Sequence, residues 1–328
     1  MGNLNKQLIE ACKIGDLDKV KYLVSQGVDI HTYNDYALRQ SVFYGYLEIV
    51  KYLVSLGADI HSKYELALLW SAENGHLEIV KYLVSEEANI HANNEWALRW
   101  SARNGHLEVV KYLVSEGVDI HANDEMALRW SVENGHLEVV KYLVSLGANI
   151  HVYIEDALSR SSGNGHLEVV KYLVSEGADI YAWNKEILPW CAYRGQLEVV
   201  KYLVSLGGDI HIRNEKALRL SARHGHLEVV KYLVSQGADI HVDDEGALRL
   251  SANNGYLEIV KFLITKGANY KKVWKRISEN IQIQIVQWII SVKRIQRWIL
   301  KIFSKPYYKD GTVGFLARSG WNECQIKN

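Results

Sequence analysis

Three cysteines in 328 residues, Cys12, Cys191 and Cys324, are too few, too scattered and odd in number for a disulfide framework or a thiolate metal site. That usage fits a reducing compartment. No run approaches the roughly 20 apolar residues that cross a bilayer, and no apolar leader follows Met1. Gly2 makes no acylation signal, because Lys6 stands where Ser or Thr is required. The chain is therefore expected to be soluble and intracellular. Its 24 glycines form neither GxGxxG nor GxxxxGK[ST], so no phosphate cradle is legible. Net charge is zero as well, but unevenly: 26 Lys+Arg face 35 Asp+Glu in residues 1–270, and 12 face 3 in residues 271–328. An acidic body ending in a basic tail points to a separate role for the tail.

What the chain does have is a rhythm. Gly15, Gly45, Gly75, Gly105, Gly135, Gly165, Gly195, Gly225 and Gly255 recur every 30 residues, each in nearly the same phrase. Such a period marks one supersecondary unit copied along an axis, each copy burying its apolar face only against its neighbours. In the copy at 91–120, Leu107, Val110, Leu113 and Val114 step at helical spacing and predict a helix over 106–115. Gly117 follows where a left-handed cap is expected, as Gly57, Gly147, Gly177, Gly207, Gly237 and Gly267 do in their copies. Glu87 breaks that series and predicts a weak point of about 1 kcal/mol. A first helix is expected over 95–103. Asn94 is its expected N-cap, with Asn34, Asp124, Asn184, Asn214 and Asp244 in register. Glu95, Glu125, Glu215 and Glu245 then fall in the first turn, where negative charge suits the helix dipole. Gly105 makes the turn between the two helices.

The stretch from Gly105 to Val114, followed by Gly117-Val118-Asp119-Ile120, resembles the second helix and exit loop of the ankyrin repeat, in phase over residues 1–270. The resemblance implies an all-α solenoid of paired antiparallel helices with short hairpin loops. It also implies a concave surface that binds protein, with neither catalysis nor cofactor. Two departures stand out. The family period is about 33 residues, and Trp96-Ala97-Leu98-Arg99 stands where the family has Thr-Pro-Leu-His. The family's hydrogen bonds between neighbouring hairpins are therefore not implied here. The short period with Ala-Leu-Arg is similar to ankyrin paralogues of giant DNA viruses that infect amoebae, which would place the chain in a host cytoplasm. Residues 1–30 read as an N-terminal capping repeat and 31–270 as eight repeats. Residues 271–292 read as a degenerate C-terminal cap, with Ile281 in place of the turn glycine, and 293–328 as a basic amphipathic helix and tail.

Positions copied in every repeat answer a packing requirement, whereas positions that vary are free to bind. The variable ones gather at the hairpin tip and on the exposed side of the first helix: Tyr33, Tyr36, Tyr44, Tyr64, Trp96, Arg103, Tyr153, Trp183, Tyr193 and Arg223. Tyr, Trp and Arg dominate interface energies, so a protein partner is expected, met by a monomeric chain. The least regular stretch is 151–195, where Tyr181 and Gln196 replace His and Lys185-Glu186-Ile187-Leu188-Pro189 replaces the helix start. It reads as a contact hot spot or as a bend. Trp70, Trp100, Trp130 and Trp190 share one phase with Gln40, Arg160, Leu220 and Leu250, which marks a part-buried site. A packed aromatic row and a ligand groove both fit.

Twelve of the 13 histidines fall in two phases. In-phase residues of a solenoid lie about 10 Å apart, while zinc–nitrogen bonds are about 2 Å, so no metal is expected. Rings packed neutral would weaken the fold near pH 6. Glu108 and Lys111 form a solvated helix pair, and nearly every polar group is copied, so no catalytic constellation is expected. In the tail, Trp274, Ile277, Ile281, Ile285, Trp288, Val292, Ile295, Ile299 and Ile302 make one apolar stripe. Lys293, Arg294, Arg297, Trp298 and Lys301 are its candidate docking residues. The stripe either covers the last repeat or meets an anionic membrane surface or partner helix. Nucleic acid is disfavoured, since no basic groove runs along the body. A further reading makes the protein a substrate adaptor for a host ubiquitin ligase, although no F-box-like segment is legible in 293–328.

Overall fold

The computed structural model describes residues 2–151, 154–178 and 187–303. Among the described residues there are 20 α-helices, one 3-10 turn and no strand. The chain divides into two compact units, 1–182 and 183–328. The first holds six helix pairs, from Gly2–Ile14 with Leu17–Ser25 to Ile154–Asn164 with Leu167–Ser175. The second holds three pairs, from Ile187–Arg194 with Leu197–Ser205 to Val242–Asn253 with Leu257–Thr265, and then the C-terminal elements. Within each unit the first helices of successive pairs pack closely, while the second helices touch more sparingly.

The apolar spacing explains each pair. In the pair Ala92–Arg103 and Leu107–Ser115, Leu98, Ala102, Val109, Val110 and Leu113 are at most 1 % exposed. The second helix thus begins one residue from its expected start. Two glycines end the two helices by the same device. The amide of Gly105 donates to Ala102 O and that of His106 to Ser101 O; Gly117 and Val118 repeat the pattern on Val114 O and Leu113 O. Both glycines sit at positive φ, 78° and 96°, which closes the orphan carbonyls of a helix end. Glu87 takes the same conformation at φ 68° with the same two hydrogen bonds, so a side chain there bears the left-handed strain.

The turn glycine of one copy also lies under a ring from the next. A Cβ on Gly135 would fall 2.3 Å from His166 Nδ1, and one on Gly105 equally close to His136 Nδ1. Tyr46 covers Gly15 and Tyr256 covers Gly225 in the same way. The covering histidines complete the contact by donating Nε2 to a backbone carbonyl: His76 to Phe43 O at 3.0 Å, His106 to Glu73 O at 2.9 Å, His226 to Tyr193 O at 2.8 Å.

The start of the first helix departs from expectation. Asn94, Asn34, Asp124, Asn214 and Asp244 are not N-caps in extended conformation. Each is the middle of three left-handed residues, as in Asn93, Asn94 and Glu95 with φ 52°, 56° and 60°. Such a turn costs about 1–2 kcal/mol per residue. Polar contacts offset that cost. Arg99 donates Nε to Asn94 O at 2.8 Å and Nη2 to Asn93 O at 2.6 Å. Arg219 does the same for Asn214 and Arg213, and Arg39 reaches Asn34 O and Tyr33 O through Nη1 and Nη2. Glu95, Glu125, Glu215 and Glu245 do fall in the first turn, as expected. They are buried, and each accepts from the histidine four residues earlier. Asn184 lies outside the described residues.

Beyond Thr265, Tyr270–Val273 packs on Val242–Asn253, a 3-10 turn covers Trp274–Arg276, and a helix of 25 residues runs over Glu279–Phe303 against Leu257–Thr265. The turn expected at Ile281 lies instead at Ile277 and Ser278, and residue 292 falls within the helix.

Gly135 and Gly255 share φ 81°, but the space around Gly255 is empty to 4 Å. Gly255→Ala should cost about 1 kcal/mol of backbone strain. Gly135→Ala should cost roughly 1–3 kcal/mol more, because the His166 ring must shift. Urea melts of the two variants check this; equal losses would show that the ring contact adds nothing.

Candidate partner-binding surface

Three neighbouring copies in the first unit bring Ile9, Tyr33, Tyr36, Arg39, Lys63, Leu66 and Trp70 around one open groove of about 410 Å³. Tyr33 stands 67 % exposed because the left-handed turn lifts it off the helix. Arg39 is buried, and while holding that turn it lies 5.5 Å from the Tyr36 ring centre. Trp70 packs edge-on against Phe43 at 5.7 Å and lends the groove its half-buried ring. One copy further, Tyr64 is 82 % exposed and shares a shallow crevice with Trp96, Leu68 and Asn93. Trp100 and Trp130 meet edge-on at 5.5 Å. The Arg103 guanidinium lies 4.5 Å from the first ring centre and 5.3 Å from the second. The tryptophan phase is therefore a packed row at Trp100 and Trp130 and a groove wall at Trp70.

In the second unit Tyr193 stacks on Trp190 at 5.1 Å and meets His224 edge-on at 4.3 Å, while Arg194 reaches 5.9 Å from the Trp190 ring. Arg223 is exposed at the end of its helix. Not every candidate joins a cluster of this kind. Tyr44 sits at the turn beyond Thr32–Phe43, against Phe43 and off the groove. Tyr153 and Trp183 lie outside the described residues. Lys293 and Arg294 are exposed on the C-terminal helix; Arg297, Trp298 and Lys301 continue it, with side chains outside the described residues. Nothing in residue order marks Ile9, Lys63 and Leu66 as groove residues, since their common position arises only when three copies stack.

Among the described residues no group of three His, Cys, Asp or Glu is placed to hold a metal ion. Burial pushes the Cys12 thiol up to about 11 and raises that of Cys191 as well, so both stay protonated. The family model for ankyrin repeats (three copies) matches residues 3–64, 62–124, 121–184 and 188–273. The chain belongs to the ankyrin repeat family. No curated protein matches it. Ankyrin repeats are in general protein–protein interaction modules, and the family is typically non-enzymatic.

The two histidine phases of this ankyrin chain sit in opposite environments. His136 and His166, packed over glycine, are held below the ordinary 6.5 by burial, which their backbone hydrogen bonds only partly offset. His121 and His211 are held above it by hydrogen bonds to Glu125 and Glu215 at 2.6 and 2.5 Å. For the lowered pair the unfolded chain binds protons more readily. Their contribution is present above pH 6.5 and lost as pH falls through the lower folded-state pKa. For the raised pair the contribution is full below pH 6.5 and lost as pH rises through the folded-state pKa. Histidine NMR titration should place His136 and His166 below the ordinary value and His121 and His211 above it. A single common midpoint would contradict the assignment.

Proposed function

We propose that the protein is a non-enzymatic scaffold that captures a partner protein on the first-helix face of its repeats. The groove beside Tyr33, Tyr36 and Trp70 carries this reading. The core beneath it is complete, yet aromatic surface is left open to solvent. A buried aromatic side chain contributes about 150–250 Å² to an interface, and Tyr, Trp and Arg are the residues whose truncation costs most there. Tyr64 with Trp96, then Arg103 on its two tryptophans, extend the face along the first unit; Trp190, Tyr193 and Arg223 offer a second patch in the other unit. Residues 1–30 and 271–292 act as caps in this reading, and 293–328 as an accessory element. The 30-residue period suggests a viral paralogue, for which the partner would be a host protein.

The double variant Tyr33→Ala/Tyr64→Ala tests the proposal. Both side chains are exposed, so its melting curve should match that of the parent. Its affinity for a protein captured by the parent should fall about thirtyfold or more, as loss of an interface hot spot implies. Lys141→Ala, on the second helix, should leave that affinity unchanged. Retained affinity in the double variant would move the binding site elsewhere.

A further inference from the structure

The C-terminal helix, Glu279–Phe303, poses a question that the repeat body does not answer. Between Ile281 and Val292 its apolar residues extend well beyond one packing stripe, with Gln284, Gln287 and Ser291 sharing a polar line. Here one side alone is covered. Ile281 and Ile285 are 5 % and 0 % exposed against Leu257–Thr265, whereas Ile283, Val286, Ile290 and Ile295 remain 51 %, 42 %, 45 % and 55 % exposed. Ile283, Val286 and Ile290 follow one line along the helix, and Ile295 lies on another side. A partner helix covers a single stripe. The interfacial layer of a membrane is fluid, and a helix lying in it buries exposed apolar groups from both sides.

Charge narrows the choice of occupant. After Glu279 the helix contains no acidic residue, while Lys293 and Arg294 are exposed and Arg297 and Lys301 follow in sequence. Lys271, Lys272 and Lys275, just before it, are exposed too. Residues 304–328 are themselves net basic, so they do not complement this surface. No helix among the described residues is long and apolar enough to cross a membrane, which leaves lying on one.

We propose that the helix Glu279–Phe303 docks the protein onto a membrane surface rich in anionic lipid. Its uncovered isoleucines enter the headgroup boundary, and Lys293 and Arg294 meet lipid phosphates and carboxylates. This role is independent of partner capture on the first-helix face. The test is sedimentation of the full chain with phosphatidylcholine vesicles, with and without about one third phosphatidylserine. Binding should require phosphatidylserine and fall steeply with added salt. Lys293→Gln/Arg294→Gln should weaken it on the order of thirtyfold, since each cation near such a surface contributes about 1 kcal/mol. Ile290→Ser/Ile295→Ser should abolish it with an unchanged melting curve, and Tyr33→Ala/Tyr64→Ala should bind like the parent. The proposal is overturned by equal binding to neutral vesicles or by none to anionic ones. A dimer in light scattering that Ile290→Ser/Ile295→Ser dissolves would overturn it as well, because a second copy would then cover the helix.

Discussion

Seven turn glycines, Gly15, Gly45, Gly75, Gly105, Gly135, Gly195 and Gly225, lie under a ring supplied by the following copy, and that contact fixes how one repeat sits on the next. The glycine is needed twice, for its positive φ and for the absence of a Cβ against His76, His106, His136, His166 or His226. The ring in turn donates to a carbonyl of the preceding copy where the hydrogen bond is resolved, as at Phe43, Glu73 and Tyr193. Stacking therefore relies on nearest-neighbour contacts of limited size, as expected of a solenoid. Toward the ends tyrosine takes the place of histidine, at Tyr46 and Tyr256, keeping a ring at the contact.

The second requirement is local. A left-handed turn of three residues opens each well-described first helix of the middle copies, and it holds because other side chains satisfy its exposed groups. The arginine of Ala-Leu-Arg binds its carbonyls in three copies, and the acidic third residue is buried against a histidine. Where Tyr181 replaces that histidine, Lys185 replaces the acid, so the two positions change together. That copy spans the division between the two units at residue 182.

Much of this was legible from residue order, for reasons that particular positions show. The second helix and both C-terminal glycines follow from spacing and φ alone, and Glu87 was marked by breaking the series. The opening turn was not legible. Asn94 and Glu95 carry the same signature as an N-cap followed by a first-turn acid, and only the contacts of Arg99 and His91 distinguish the two. The exposed aromatics were found because they vary between copies. Ile9, Leu66 and Lys63 were not, because a groove shared by three copies is a property of the stack.

Copied residues thus hold the repeats in register, and varied residues on the first-helix face form the proposed binding surface. Placing a photo-crosslinking amino acid at position 64, or at position 141 on a second helix, in otherwise intact chains tests that division most directly. The account predicts a discrete protein adduct from position 64 and none from position 141. Equal adducts from both, or an adduct from position 141 alone, would contradict it.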